Sequence, residues 1–314
     1  MKKQAVRRMS KIQAQSKKSR NTHQSVMVSE ILKGLGLDKK AHLNEDKRFI
    51  DATLGTAGHS RAIANSGANV LGIDMDQAML EIARENLKGY KNVKIVYGNF
   101  KDIKTIAQKN NFIGIDGVIF DLGVSNLQLT SQNRGFSFSN PKSELDMRID
   151  ASSKPKASDL LNLLRKDQLE ELFLKVLTKN EARKIALEID QYRKSEPFKN
   201  VVDFLEICRK VFPDRGKINP ATRAFLALRI AVNSELENLK EALSGAFSIL
   251  AREGKILVIS FHSAEDVLVK DFFRSKEKMG LGKVLTKKPI VPSAREVEKN
   301  PKSRSAKLRI FKKI

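Results

Sequence analysis

Between residues 48 and 121, four short apolar runs, RFIDA, NVLGID, NVKIVYG and DGVIFD, alternate with helical stretches near 58 to 66, 76 to 88 and 101 to 109. Parallel strands need a crossover about as long as one helix, and each gap holds one. The Val, Ile and Leu of the runs are continuous rather than alternating, as in strands covered by helices on both faces. The pattern predicts βαβαβαβ and a doubly wound α/β sheet. It stops near residue 125, and 155 to 212 reads instead as successive amphipathic helices such as DLLNLLRKDQLEELFLKVL. Strand character returns at GKILVISFH (254 to 262), between one long helix over about 221 to 250 and another near 263 to 275. The expected organisation is a basic arm over 1–22, a discontinuous sheet domain over 23–126 and 221–314, and an inserted helical subdomain over 127–220. No internal repeat is visible.

The formal net charge of +23 on 314 residues self-repels unless a polyanion is the usual partner, so nucleic acid is expected. Lys2, Lys3, Arg7, Arg8, Lys11, Lys17, Lys18 and Arg20 fall in the first 22 residues with no acid, and the last thirty are again basic, so both ends read as phosphate-contacting arms. A mitochondrial or plastid transit peptide is the rival for the first arm, though its cations are mostly lysine. The single cysteine, Cys208, excludes a disulfide framework and a Cys-rich zinc site. With no membrane-length apolar run and no secretory leader, a soluble cytoplasmic protein is expected, monomer or homodimer.

In open α/β sheets ligands sit beyond the carboxyl ends of the strands, and here those ends carry acids or glycine loops. In DATLGTAGH, Gly55 and Gly58 allow a tight turn leading into a helix N-terminus. Asp74 ends the second run 19 positions after Gly55, near the roughly 20 at which an acid accepts hydrogen bonds from the ribose hydroxyls of an adenosine cofactor. That spacing serves NAD or S-adenosylmethionine, but G-x-x-G in place of G-x-G-x-x-G suits a cofactor with no pyrophosphate to cradle. Phe100, after the third run, offers a ring to cover an adenine or to pack helix on sheet. Asp121 ends the fourth run, where a carboxylate can hold the cofactor's amino-acid part or accept from a substrate amine.

The strings HQSVM (23 to 27), DATLGTAGHS (51 to 60), DGVIFDLGVSNLQL (116 to 129), RGFSF (134 to 138), LDMR (145 to 148), NPATRAFLALRIAVNSELE (219 to 237), SFHSAED (260 to 266) and NPKSRSAKLR (300 to 309) resemble the ribosomal RNA small subunit methyltransferase H family, also called MraW. The resemblance implies a class I, Rossmann-like methyltransferase with a helical insertion. Its donor would be S-adenosylmethionine, and its acceptor N4 of a decoding-region cytidine in 16S-type rRNA, free or in the assembled small subunit. Carried over by position, the cofactor contacts would be Ala57, Gly58, His59, Asp74, Phe100, Asp121 and Gln128. The chain departs from the pattern at Ala57, which replaces a usual glycine, at Leu177-Thr178-Lys179 for Gly-Glu-Glu, at Asn219 for His and at Ala264 for Leu.

Methylation of an exocyclic amine is an in-line displacement that requires positioning and a later proton acceptor rather than a metal. An exposed or flipped cytidine can be sandwiched by rings, and Phe136, Phe138 and His262, with Asp121 and Ser125, are the expected base pocket. Arg134, Arg148 and Arg223 are the expected phosphate contacts. Many base-amine methyltransferases carry Asp or Asn, two prolines and an aromatic after the fourth strand; Asp121-Leu122-Gly123-Val124 stands here instead. The competing readings are a methyltransferase for another nucleic acid or a protein, a non-catalytic ribosome-assembly factor and, more remotely, a nicotinamide oxidoreductase.

Overall fold

The computed structural model describes residues 25–37, 44–123, 134–138, 140–152, 155–213 and 219–314. The four predicted strands are present as β1 (Arg48–Asp51), β2 (Asn69–Asp74), β3 (Val93–Tyr97) and β4 (Ile115–Asp121). A fifth, β5 (Leu250–Ser260), starts four residues before the apolar run that announced it. With β6 (Gly282–Val284) and β7 (Lys307–Lys313) they form one sheet in the order β3-β2-β1-β4-β5-β7-β6. The first five are mutually parallel, and β7 runs antiparallel to both β5 and β6. Helices α1 (Val28–Leu35) and α2 (Gly58–Ala64) cover one face, burying Ile31, Leu35 and Ile63 against Phe49, Val70, Ile119 and Leu257. On the other face Ile50, Leu71, Val118 and Val258 meet residues of Ile103–Lys109, Glu235–Ile249 and Ser263–Lys278. The sheet is doubly wound, as the continuous apolar runs predict. Among the described residues, no helix is long and apolar enough to cross a membrane.

Described residues between Phe136 and Val232 gather around a second core that includes Leu145, Leu161, Phe173, Ile185, Phe204 and Leu228. Its helices are Ala157–Leu163, Lys166–Leu174, Lys179–Tyr192, Val201–Val211 and Thr222–Val232. The helix expected over about 221 to 250 is two helices, Thr222–Val232 and Glu235–Ile249, separated by Ser234 at φ 48. The first buries Phe225 and Leu228 in the inserted core and the second buries Leu239 and Leu243 under the sheet. At the family departure 177–179, the Thr178 hydroxyl caps the next helix by accepting from the Glu181 amide at 3.4 Å, while Glu181 accepts from the Thr178 amide at 2.9 Å.

The expectation that the basic C-terminal segment is an arm for phosphate does not hold for its last residues, 307–313. Strand β7 lies inside the sheet, with Leu308, Ile310 and Phe311 buried. Its cations are paired at home: Arg309 donates to both carboxylate oxygens of Asp266 at 2.6 and 3.0 Å, and Lys312 to Glu253 at 2.7 Å. The apolar half of KLRIFKK was hidden by the charge count. Burial works against ionisation of Asp266, but the Arg309 guanidinium holds its carboxyl below the usual range. A depressed carboxylate adds stability above its unfolded value of about 3.9, lost as pH falls through the lower folded value. Removing one partner strands a buried charge, so Arg309→Ala is expected to lower unfolding stability by about 3 kcal/mol in urea titrations. Asp266→Asn should flatten the loss of stability at acid pH.

Candidate functional site

Three acids mark the carboxyl ends of adjacent strands, and the register fixes their depth. Asp51 pairs with Gly72 on β2 and with Ile119 on β4, so Asp74 and Asp121 each stand two residues further out. Side chains two apart share a face, which puts all three on the face covered by α2, with Asp51 one pleat beneath the other two. Asp51 is fully buried; Asp74 and Asp121 are half-buried. Strand order turns from β2-β1 to β4-β5 at this place, where open α/β sheets form their ligand crevice.

The glycine loop is pinned to β2. Asp74 accepts from the Gly55 amide at 2.7 Å and from the Asp76 amide at 2.9 Å, leaving each oxygen capacity for a further donor such as a ribose hydroxyl. Burial pushes its pKa up to about 6 against these two amides. Gly55 turns at φ 51, whereas a Cβ on Gly58 would overlap the Ser25 side chain, so Gly58 admits Ser25. Ala57 is left-handed, φ 69, where the substitution for glycine is strained. Its buried methyl packs with Leu54, Leu80 and Leu87.

His59, in the first turn of α2, is buried with its Nε2 3.3 Å from Asp121 Oδ2. The contact is an ion pair without the alignment of a hydrogen bond: among the described residues both ring nitrogens and Asp121 Oδ1 are buried without a hydrogen-bond partner. Burial disfavours the charged ring, but the carboxylates of Asp121, Asp51 and Glu296 outweigh it and raise the His59 pKa. Asp121 is anchored through its own amide, which donates to Thr53 Oγ1 at 2.7 Å. A cationic donor and an unpaired carboxylate oxygen suit an amino-acid tail, which brings one carboxylate and one ammonium group. Phe100 packs edge-on to Phe120, ring centroids 6.0 Å apart, and keeps part of its surface free at the same strand ends.

The expected RNA-facing residues are differently engaged. Arg134 donates to buried Asp76 at 2.7 Å and to the carbonyls of Arg148 and Ile149, clasping the insertion to the β2 loop. Arg148 is paired with Asp146 at 2.6 and 2.8 Å, and Arg223 donates to Glu181 and to the Val176 carbonyl, both at 3.0 Å. Phe136 is buried in the inserted core, and Phe138 packs edge-on to Phe225 at 4.7 Å. His262 caps Ser263–Lys278, and its Nε2 lies 3.1 Å from Glu265 Oε1. Glu235, His262 and Glu265 bring ligand-type atoms within 4.8 Å of one another, but Arg229 already supplies positive charge, donating to both oxygens of Glu235 at 2.8 Å. Ser125 and Gln128 lie outside the described residues. Sequence reading missed Asp51, Thr53 and Asp76; the signal for Asp51 was its place as the acid ending the first run.

Two outcomes follow. A left-handed alanine costs about 1–2 kcal/mol, but glycine there would lose a buried methyl worth about 0.8 kcal/mol and about 0.4–1 kcal/mol of unfolded-chain entropy. Ala57→Gly should therefore shift urea stability by less than about 1 kcal/mol, while β-branched Ala57→Val should lose more than that. Calorimetry across pH should show affinity for S-adenosylhomocysteine falling as pH drops through about 6, where Asp74 takes up a proton and loses acceptor capacity.

Residues 20–314 match the MraW methylase family. Ribosomal RNA small subunit methyltransferase H of Coprothermobacter proteolyticus is 42% identical over 272 residues, 86% of this chain and 91% of that protein. The protein of that name from Sulfurihydrogenibium sp. is 39% identical over 298 residues, 93% of this chain and 99% of the relative. That from Chlamydia felis is 40% identical over 298 residues, covering 93% and 97%. A solved putative rRNA-methylase from Clostridium thermocellum aligns over 92% of this chain and 98% of that one at 12% identity, with a TM-score of 0.47, a likeness on which nothing further rests. Family match and near-full-length identity agree, and the chain belongs to the MraW methylase family.

Proposed function

We propose that this chain transfers the methyl group of S-adenosylmethionine to N4 of a cytidine in the decoding region of small-subunit rRNA. The observation that carries the reading is the buried His59–Asp121 pair beside Asp74 at the turn of the strand order, within a chain of this family. The relatives' names supply the substrate class, small-subunit ribosomal RNA. The net charge of +23 suits a polyanionic acceptor, free rRNA or the assembled subunit.

S-adenosylmethionine, when bound, supplies an electrophilic methyl on sulfonium. Asp74 would accept from the ribose hydroxyls, and Phe100 would cover the adenine. His59 would meet the carboxylate of the amino-acid tail. Asp121 Oδ1 would accept from an amine N–H, and the Thr53 contact to the Asp121 amide keeps that carboxylate at the strand end. The clasp of Arg134 on Asp76 keeps the insertion against the cofactor loop, so that a base held by the insertion meets the methyl.

The test is transfer of labelled methyl from S-adenosylmethionine to small ribosomal subunits from cells lacking the enzyme, followed by nucleoside analysis. Label is expected in N4-methylcytidine, reduced about 10²–10⁴-fold by Asp121→Asn. Label in another nucleoside or in protein would overturn the acceptor; cofactor binding without turnover would favour the assembly-factor reading.

A further inference from the structure

We propose that Asp51 and Ser60 form a buried brace beneath His59, and that Asp51, with no path to any ligand, acts through that ring to receive the cofactor's amino-acid tail. The inference rests on the reading of this crevice as the cofactor site. Asp51 is 0% exposed and one pleat below Asp121 on the same sheet face. Ser60 follows His59 in the first turn of α2 and donates its hydroxyl to Asp51 Oδ2 at 2.7 Å. The Thr53 amide reaches Asp51 Oδ1 at 3.4 Å. The brace thus ties the turn that carries His59 to the end of β1.

The charged groups facing His59 are Asp51 from β1, Asp121 from β4 and Glu296 from the helix Ala294–Lys299. Glu296 also accepts from the Met27 amide at 2.6 Å, and Asp121 stands at the strand end with its Oδ1 buried and lacking a hydrogen-bond partner among the described residues. Asp51 differs from both: its hydrogen-bond partners are Ser60 and Thr53, its electrostatic neighbours are the imidazole, which favours its charge, and the Asp121 carboxylate, which opposes it, and burial pushes its own pKa up. A charge placed so deep costs stability by itself. Under His59 it serves to keep the ring cationic where a carboxylate arrives, and the raised His59 pKa is in keeping with that arrangement. Affinity for the tail is then present below the folded pKa of His59 and lost as pH rises through it.

The experiment compares Asp51→Asn, which keeps the shape and the Ser60 contact, with the unaltered full chain. Calorimetry is run with S-adenosylhomocysteine and with 5′-methylthioadenosine, which lacks the amino-acid tail. Asp51→Asn is expected to weaken S-adenosylhomocysteine about tenfold and 5′-methylthioadenosine less than about twofold. Ring NMR of the cofactor-free protein should show the His59 titration displaced to lower pH, and the alkaline loss of S-adenosylhomocysteine affinity should begin correspondingly earlier. Equal weakening of both ligands, or an unmoved His59 titration, would overturn the brace and leave Asp51 a packing residue. Failure of the unaltered chain to bind S-adenosylhomocysteine at all would instead overturn the cofactor reading.

Discussion

The parallel pairing of β1 with β2 on one side and β4 on the other places nearly everything that can act on a ligand. Because side chains alternate at a period of two, a register shift of one residue in β1, β2 or β4 would turn that strand's acid, Asp51, Asp74 or Asp121, to the face opposite the other two. The observed register stacks Asp51 against Gly72 and Ile119, sets two carboxylates at the rim and one beneath, and lets α2 lay His59 and Ser60 over them. Local choices follow from that frame. Asp74 holds the Gly55 amide, Asp121 is held by Thr53, and Asp76 both caps Gln77–Asn86 and grips Arg134. The site is thus made of strand ends whose spacing is set by backbone hydrogen bonds, which is why it tolerates a strained alanine in its loop.

Among the described residues, polar side chains tie the inserted helices to this frame. Asn233, at the break between Thr222–Val232 and Glu235–Ile249, accepts from the Ile149 amide and donates to the Met147 carbonyl, each at 2.8 Å. Tyr97 at the end of β3 donates to Asp150 at 3.1 Å. Arg229 and Glu235 flank the same break and close a buried ionic network with Glu265 near the end of β5. Two cores with separate apolar packing therefore meet across directional contacts. Such contacts fix orientation without fusing the hydrophobic interiors.

Much of the sheet was legible because continuous apolar runs between helices admit few topologies. Asp74 was found by spacing and Asp121 by its position at a strand end. His59 came only from family likeness, since one histidine in a helix's first turn has no periodic signal. Arg134, Arg148 and Arg223 read as phosphate contacts because sequence reports charge but not partners; Asp76, Asp146 and Glu181 hold them. Strand β7 was missed for the opposite reason. The lysines of KLRIFKK outweighed its Leu308, Ile310 and Phe311 in the reading, although the sheet buries all three.

That strand has a consequence for how the protein is made. During synthesis β5 emerges with one edge paired to β4 and the other open, and Ile256, Leu257, Val258 and Ile259 lie along it. The antiparallel partner for that edge is supplied by residues 307–313, well downstream on the nascent chain. Until those residues clear the exit tunnel, the growing polypeptide carries an unpaired apolar edge, the kind of surface that recruits chaperones or pairs with other chains. A premature stop before residue 307 would leave that edge open for good, so quality control should recognise the truncated product even though every group of the cofactor crevice had already been translated.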